Sequence, residues 1–334
     1  GNLVRLALTD GAAPRPLTSD GSDTLTWGLA DFIAAEELSR QRGFWWSRNG
    51  QSLLALRVDE SGVALKTRAQ IFADRTAMTE QRYPAAGAAN AKVTAFVIDA
   101  ATGQRRELAL PASAEYIARA GWFADGTPWL QWFNRAQTRL TLTEFKAGAD
   151  GTWQPRDITV ETDPAWVEVH DDLMETPRGL LWSSEASGRR QLLLLDRASG
   201  RRTPLTQQPE AVAHAVCVGS RGVVFAGFSD LGKRQELYLQ PLAGGPAQPL
   251  PGAAERQWRE AINELARLAR TLNEMIDRLN KSFEEMRRFT ADAAHDLRTP
   301  VTALRTEVEV SLMTDRSIED YQRSMETVLE EVVS

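Results

Sequence analysis

The sequence predicts a multidomain protein that is mainly β over its first part and α-helical over its last part. Up to about Gly252, short apolar runs alternate with turn residues, which is the pattern of antiparallel strands. Beyond the Gly/Pro-rich stretch AGGPAQPLPGAAE, apolar residues recur in steps of three and four, which is the period of a helix. We therefore expect an incomplete β-propeller over residues 1–252, a linker and coiled-coil helix over 253–286, and a helical-hairpin dimerisation domain over 287–334.

The β part is predicted from a repeated hairpin unit. Each unit is a strand, a Gly-containing turn and a second strand, and strands rich in aromatic residues lie between the units. A degenerate hairpin that recurs at roughly 40–50 residues is typical of a propeller blade, and a β-sandwich is the alternative. The hairpin units begin at Leu3, Ala95, Leu192 and Glu236, and the aromatic strands begin at Phe44, Gly121 and Gly179.

The composition excludes several classes of protein. A formal net charge of −6 argues against a general nucleic-acid binder, which carries a basic patch. Cys217 is the single cysteine, so we expect neither a disulfide framework nor a metal site with cysteine ligands. No run approaches the roughly 18 apolar residues that span a bilayer, and no signal peptide opens the chain. Because Gly1 leads directly into the strand-like run LVRLAL, we expect a fragment.

The helical part predicts a dimer. A second amphipathic helix follows Ser317, an N-cap residue with Asp320 in the first turn. Two helices that each expose an apolar stripe need a partner, and the simplest closure is a homodimeric four-helix bundle through residues 260–334. The apolar stripe of the first helix is a heptad seam formed by Ile262, Leu265, Ala269, Leu272, Ile276, Leu279, Phe283, Met286, Thr290 and Ala293.

His295 lies on this helix within the run ADAAHDLRTP. With Ile262 at heptad position a, His295 falls at position f and faces solvent, where a solvated surface histidine is the simplest interpretation. The residues that follow it in the sequence favour a catalytic role for the imidazole. Asp296 can hydrogen-bond a ring nitrogen or a nearby water, which favours the basic imidazole that attacks a phosphoryl group. Thr299 lies one turn further on the same face, where its hydroxyl can orient a water, and Pro300 removes a backbone donor beside the histidine.

The run FTADAAHDLRTPVTAL resembles the phosphoacceptor box of sensor histidine kinases, and ELARLARTLNEMIDRLNKSFEEMRRF before it resembles the last helix of a HAMP linker. The resemblance covers about residues 259–334. It implies that His295 is the phosphoacceptor, that Asp296 is the adjacent acid (more often Glu in the family) and that Thr299 assists dephosphorylation. It also implies a response regulator as partner. Since no nucleotide-binding box follows, we expect the chain to bind no cofactor and to receive phosphate from ATP through a separate domain.

The run WGLADFIAAEELSRQRGFWWSRNGQSLLALRVDES resembles the propeller of bacterial dipeptidyl peptidase IV-like serine peptidases. The runs YPAAGAANAKVTAFVIDAATG and LLWSSEASGRRQLLLLD extend the resemblance over about residues 3–251. It implies that Glu36 and Glu37 bind the free N-terminal amine of a peptide. Two carboxylates side by side favour a single ammonium ion, and a solvated helix face is the alternative interpretation.

A peptidase of this type also needs a hydrolase domain with a G-x-S-x-G nucleophile motif. That motif does not occur in the sequence, and the chain changes to a heptad pattern where such a domain would begin. His170 and His214 lie in strand-like surroundings without a nucleophile motif, so we interpret both as structural. We therefore expect no peptide hydrolysis by this chain.

The combination leaves two function classes. The first is a fragment of a two-component sensor histidine kinase in which His295 accepts phosphate and passes it to a response-regulator aspartate. The second is the substrate-gating propeller of a serine peptidase that lacks its hydrolase domain. A fusion or an engineered chimera explains their presence in one chain. The resemblances imply a bacterial origin, with the parent kinase at the inner membrane and its kinase part in the cytoplasm, and the parent peptidase in the periplasm or cytoplasm.

Overall fold

A computed structural model describes residues 1–6, 13–71, 75–148 and 151–250. These residues form antiparallel strands and one short helix. The elements are β1 (Val4–Arg5), β2 (Arg15–Pro16), β3 (Leu25–Trp27), α1 (Phe32–Glu36), β4 (Phe44–Trp46), β5 (Ser52–Asp59), β6 (Leu65–Ile71), β7 (Thr76–Arg82), β8 (Lys92–Asp99), β9 (Arg105–Leu108), β10 (Tyr116–Trp122), β11 (Pro128–Phe133), β12 (Arg139–Ala147), β13 (Trp153–Thr162), β14 (Met174–Thr176), β15 (Gly179–Ser184), β16 (Gln191–Leu195), β17 (Arg202–Pro204), β18 (Val212–Gly219), β19 (Gly222–Ser229), β20 (Arg234–Gln240) and β21 (Gln248–Pro249).

The strands form four consecutive sheets. The first sheet has the order β3–β5–β8–β9, with β4 also paired to β5, and the second, third and fourth sheets are the meanders β10–β13, β14–β17 and β18–β21. The pairs β1–β2 and β6–β7 are separate hairpins. The predicted hairpin units and aromatic strands all occur as antiparallel pairs of neighbouring strands, although residues 7–12 of the first unit lie outside the described residues. Consecutive meanders of four strands are the architecture of propeller blades.

Successive sheets pack face to face through apolar side chains. Leu54 and Leu56 of the first sheet lie against Leu130 and Phe145 of the second. A second cluster joins the second sheet to the third around Trp182, which is fully buried, and a third cluster joins the third sheet to the fourth. Successive side chains of strand β5 point to opposite faces of the sheet, and both faces are buried. Its sequence, SLLALRVD, is therefore nearly continuously apolar.

The first sheet is interrupted at its edge. Strands β3 and β4 pair with different halves of β5, and residues 28–43 leave the sheet between them and carry α1. The base of this excursion is closed by hydrogen bonds from Gly28 N to Leu56 O (2.9 Å) and from Gly43 N to Gly28 O (3.0 Å). A Cβ atom at Gly43 would lie 2.3 Å from Leu29 O, so the close approach of the two chain segments requires glycine there.

A buried carboxylate, Glu144 on β12, joins the second sheet to the third. Its side chain is 0% exposed and accepts hydrogen bonds from Arg156 Nε (2.8 Å) and from Arg197 Nε (2.6 Å), which lies in the turn after β16. The Arg197 guanidinium also lies over the Phe123 ring, 4.0 Å from its centroid. Burial raises the pKa of Glu144, but the hydrogen bonds from Arg197 and Arg156 outweigh it, so the pKa lies below its ordinary value.

The chain divides into two units at Pro251. The predicted coiled-coil helix and phosphoacceptor segment lie beyond this point, outside the described residues. A search of the described residues finds no helix with the length and apolar character needed to cross a bilayer.

The cluster of Glu144, Arg156 and Arg197, which we call the Glu144 cluster, leads to a prediction about stability. Replacing Glu144 with Gln should lower the free energy of unfolding by roughly 3 kcal/mol, because Arg156 loses its carboxylate partner at a sheet interface and Arg197 keeps only Asp125. Denaturant unfolding followed by tryptophan fluorescence measures this. Glu185→Gln is the matched control, since Glu185 pairs with Arg190 at 3.3 Å but is 53% exposed, and its loss should cost less than about 1 kcal/mol. Equal effects of the two substitutions would contradict a special role for the buried carboxylate.

Candidate functional site

The excursion at residues 28–43 places α1 and both predicted glutamates. Asp31 is the N-cap of α1, and its carboxylate accepts a hydrogen bond from Ala34 N at 3.2 Å. This is the capping arrangement expected of an aspartate before a short helical run. Ala34 is on the buried face of the helix. The Phe32 ring contacts the Tyr83 ring edge to face, with ring centroids 5.1 Å apart. Asp31 therefore caps the N-terminus of the helix, and Ala34 and Phe32 pack one face of it against the protein.

A buried ion pair closes the excursion on itself. Arg40 Nη2 lies 3.3 Å from Asp31 Oδ1, and the two side chains are only 5% and 9% exposed. The same guanidinium donates to the backbone carbonyl oxygens of Ile117 (3.2 Å) and Arg42 (2.9 Å). Since Ile117 lies on β10, this one side chain holds the excursion of the first sheet against the second sheet. Asp31 thus serves two donors, the helix N-terminus and Arg40.

The chain that follows α1 is equally constrained. Leu38 is buried in the core between the second and third sheets, and its carbonyl oxygen accepts a hydrogen bond from Arg119 Nη1 at 2.7 Å. Arg119 also forms an ion pair with Asp171. Ser39 has a positive φ of 53°, which turns the chain back toward Arg40. The backbone on either side of Glu37 is therefore held in place.

Glu36 and Glu37 are both exposed at the end of α1. Among the described residues, neither carboxylate forms an ion pair or a hydrogen bond through its side chain. Glu36 and Glu37 are consecutive residues, and the described chain supplies no counter-ion to either carboxylate. The structure thus places both predicted glutamates at the exposed end of α1, and their role as amine ligands stays a prediction.

The predicted phosphoacceptor residues His295, Asp296 and Thr299 lie outside the described residues. Their roles therefore stay predictions. No group of three or more His, Cys, Asp or Glu side chains in the described ranges is arranged to hold a metal ion.

The two other histidines differ in their surroundings. His214 is exposed on β18, whereas His170 is 6% exposed and packs edge to face on Trp182 with ring centroids 4.4 Å apart. His170 Nδ1 accepts a hydrogen bond from Asp172 N at 3.3 Å. Burial lowers the pKa of His170 to about 4, although the nearby Asp172 carboxylate acts in the opposite direction. His170 is therefore neutral at neutral pH.

The sequence interpretation missed the residues that support the site. Asp31 could have been found, because an aspartate directly before the run FIAAE is a helix-capping signal. Arg40 and Arg119 carry no local signal. Packing between sheets alone brings the Ile117 carbonyl oxygen near Arg40 and the Leu38 carbonyl oxygen near Arg119.

The first part of the chain matches the family model described as the dipeptidyl peptidase IV N-terminal region over residues 4–258. This match covers more than half of the chain, and the chain belongs to that family. Dipeptidyl peptidase 8 of Mus musculus is 28% identical over 193 residues, which are 45% of this chain and 21% of that protein. The crystal structure of Porphyromonas gingivalis dipeptidyl peptidase 4 aligns with a TM-score of 0.65 and 21% identity, over 72% of this chain and 35% of that chain. This structural likeness favours the predicted propeller over a β-sandwich.

The last part of the chain matches the His Kinase A (phospho-acceptor) domain model over residues 285–334. Sensor protein CopS of Pseudomonas syringae pv. tomato is 38% identical over 87 residues, which are 26% of this chain and 16% of that protein. The chain thus spans 16% and 21% of the lengths of CopS and dipeptidyl peptidase 8. Both resemblances predicted from the sequence, one for each part of the chain, are confirmed.

His170 yields a prediction about stability and pH. Its ordinary pKa of 6.5 in the unfolded chain falls to about 4 in the folded protein, so the unfolded state binds the extra proton between these values. The free energy of unfolding should therefore fall as the pH drops from about 6.5 to about 4, by up to about 3 kcal/mol. Replacing His170 with Phe, which keeps the contact with Trp182, should flatten this slope in denaturant unfolding measured across the window.

His214→Phe is the matched control, since it makes the same replacement at an exposed position on β18, away from the buried surroundings of His170, and it should leave the slope unchanged. The charged groups that act on His170 are Asp172, Arg190, Asp171 and Arg119, and all remain in both variants. An unchanged slope in His170→Phe would show that other groups cause the pH dependence.

Proposed function

We propose that this chain acts as the phosphoacceptor part of a two-component phosphorelay, with His295 as the phosphorylated residue. The match of residues 285–334 to the phosphoacceptor domain carries this proposal, because that segment contains His295 in the run HDLRTP. The sensor-protein relatives support the same class of activity. Dimerisation through residues 260–334 and a response regulator as the partner are parts of the same proposal.

The chemistry is a two-step transfer of one phosphoryl group. A neutral ring nitrogen of His295 attacks the γ-phosphorus of ATP, a P–N bond forms, and the P–O bond to ADP breaks. In the second step a carboxylate oxygen of the regulator attacks the same phosphorus, and the imidazole leaves. Asp296 follows the histidine in the sequence, and its carboxylate can accept a hydrogen bond from the other ring N–H, which makes the attacking nitrogen a better nucleophile. The ATP is presented by a separate nucleotide-binding domain, which positions the phosphate for in-line attack.

The test mixes the full chain with labelled ATP and a separately supplied ATP-binding domain from a related sensor kinase. We expect label on the chain that is labile in acid, that moves to a response-regulator aspartate, and that is absent in His295→Gln. His214→Gln is the matched control and should be labelled like the parent. Label that survives His295→Gln, or label that forms with ATP in the absence of the added domain, would contradict the proposal.

Thr299→Ala separates the roles of the neighbouring residues within the same assay. It should accept phosphate at the parent rate but slow the dephosphorylation of the partner regulator by about tenfold or more, because the hydroxyl orients water and does not receive phosphate. Equal loss of both activities would mean that Thr299 only supports the helix.

A second candidate function is favoured by the geometry of α1. We propose that the first part of the chain recognises peptides with a free N-terminus through Glu36 and Glu37. The supporting observation is that the two exposed carboxylates follow each other on a segment held by Asp31, Arg40 and Leu38, without ion pairs to other described residues. Rigid placement of two acceptors lowers the entropic cost of binding one ammonium group.

Isothermal titration of the full chain with a free-amine dipeptide amide tests this second function. Glu36→Gln and Glu37→Gln should each weaken binding by about tenfold, because each removes a charge-assisted hydrogen bond to the ammonium group. The N-acetylated dipeptide should bind weakly and equally to all variants. Glu80→Gln, at an exposed position on β7, is the matched control and should leave the affinity unchanged. Equal binding of the free and acetylated peptides would contradict this proposal.

A further inference from the structure

A small cavity lies between the third sheet and the segment that joins β13 to β14. We call it the His170 pocket, and its volume is about 40 Å³. Its inner wall is formed by Glu161, His170, Ser183 and Ser184, and its mouth is formed chiefly by Asp163, Trp166, Glu168, Glu185 and Arg190. The joining segment is held in place by the hydrogen bond from Val167 N to Gln137 O at 2.8 Å. A cavity of this volume admits one small polar group.

One residue of the inner wall, His170, has a hydrogen-bond donor without a partner among the described residues. Because His170 Nδ1 accepts the Asp172 N–H, the proton of the neutral imidazole lies on Nε2. His170 Nε2 is buried and has no hydrogen-bond partner among the described residues. The other described side-chain atoms of this kind are Gln131 Oε1, Thr141 Oγ1 and Trp153 Nε1, and none of these residues lines the pocket. A buried donor without an acceptor lowers the stability of the folded protein. A ligand that brings an acceptor into the pocket removes this penalty, which strengthens its binding.

The polar groups of the inner wall already have partners. Glu161 accepts from Trp182 Nε1 (3.1 Å) and Ser184 Oγ (2.9 Å), and it pairs with Arg202 at 2.7 Å. The Ser183 hydroxyl donates to Asp172, whose other carboxylate oxygen accepts from Ala215 N at 2.7 Å. The acceptor for His170 Nε2–H therefore has to come from a molecule in the pocket.

The mouth of the pocket has the character of a cation site. The Trp166 side chain is 64% exposed beside three carboxylates, of which Glu185 is paired with Arg190. Asp163 accepts a hydrogen bond from Ala165 N at 2.7 Å, and Glu168 has no ion pair within the described part of the chain. An exposed indole face next to unpaired carboxylates attracts ammonium and guanidinium groups.

We propose that the His170 pocket binds a basic residue, lysine or arginine, of a peptide or protein chain. A backbone carbonyl oxygen of that residue accepts the hydrogen bond from His170 Nε2–H, and its cationic group lies between Trp166 and the carboxylates of Asp163 and Glu168. This site is separate from Glu36 and Glu37, and it requires neither of the two functions proposed above. Its ligand differs from theirs because the α-amine is not needed.

The test uses the full chain and two probes that differ in the terminal ammonium group of the side chain, Nα-acetyl-lysine methylamide and Nα-acetyl-norleucine methylamide. The lysine probe should bind about tenfold more tightly than the norleucine probe in calorimetric titration. It should also shift the imidazole Nε2–H resonance of His170 in ¹⁵N-edited NMR spectra of the unmodified protein. This measurement does not depend on any variant that fails to fold.

Variants at the mouth locate the site. Trp166→Ala and Glu168→Gln should each weaken binding of the lysine probe at least fivefold, whereas the matched controls Trp46→Ala and Glu80→Gln should not, since both replace exposed side chains on the first sheet and the β6–β7 hairpin. Equal affinity for the two probes would overturn the proposal. So would a His170 resonance that stays unchanged at saturation, since the cavity would then hold only water.

Discussion

The apolar character of both faces of the central strands constrains the rest of this structure. Leu53 and Leu54 of β5 follow each other in the chain, point to opposite faces and are both almost completely buried. A sheet of this kind cannot be stable alone, so each sheet is covered by its neighbours in a stacked series. Polar groups at the interfaces must then find partners within the protein, because water is excluded. The Glu144 cluster and the Asp172 contacts are two results of this requirement.

The candidate amine site follows from the same constraint. Residues 28–43 leave the edge of the first sheet, where the backbone is not needed for packing between faces, and they return at Gly43 after a close approach that admits no side chain. A short helix of this length has little stability of its own. It is held by the buried Asp31–Arg40 pair and by the insertion of Leu38 into the core of the next interface. The exposed glutamates thus lie on an irregular segment that is anchored on both sides by buried contacts.

The sequence revealed those parts of the fold that are encoded locally. The hairpin that begins at Ala95 was predictable because its turn residues and apolar runs lie within sixteen residues of one another. The adjacent Glu36 and Glu37 were visible for the same reason. The side chains that hold them were not, since Arg40 and Arg119 make their contacts through pairings up to 81 residues apart. The resemblance to a phosphoacceptor box is also local, because the run FTADAAHDLRTPVTAL carries it, and it agrees with the domain match over residues 285–334, which lie outside the described residues.

The two buried polar clusters between sheets differ in one respect that bears on function. Around Glu144, both carboxylate oxygens accept hydrogen bonds from arginines, and those arginines reach further acceptors, so the cluster is complete and its role is structural. Around His170, both Asp172 carboxylate oxygens also accept a hydrogen bond, yet the imidazole, whose residue lines the His170 pocket, keeps one buried donor without a partner among the described residues. A phenylalanine of similar shape would remove this unpaired donor, but it would leave the buried Asp172 N–H without the acceptor that His170 Nδ1 supplies. The fold therefore uses the Nδ1 side of the imidazole, and the Nε2–H is the group for which the proposed ligand supplies an acceptor.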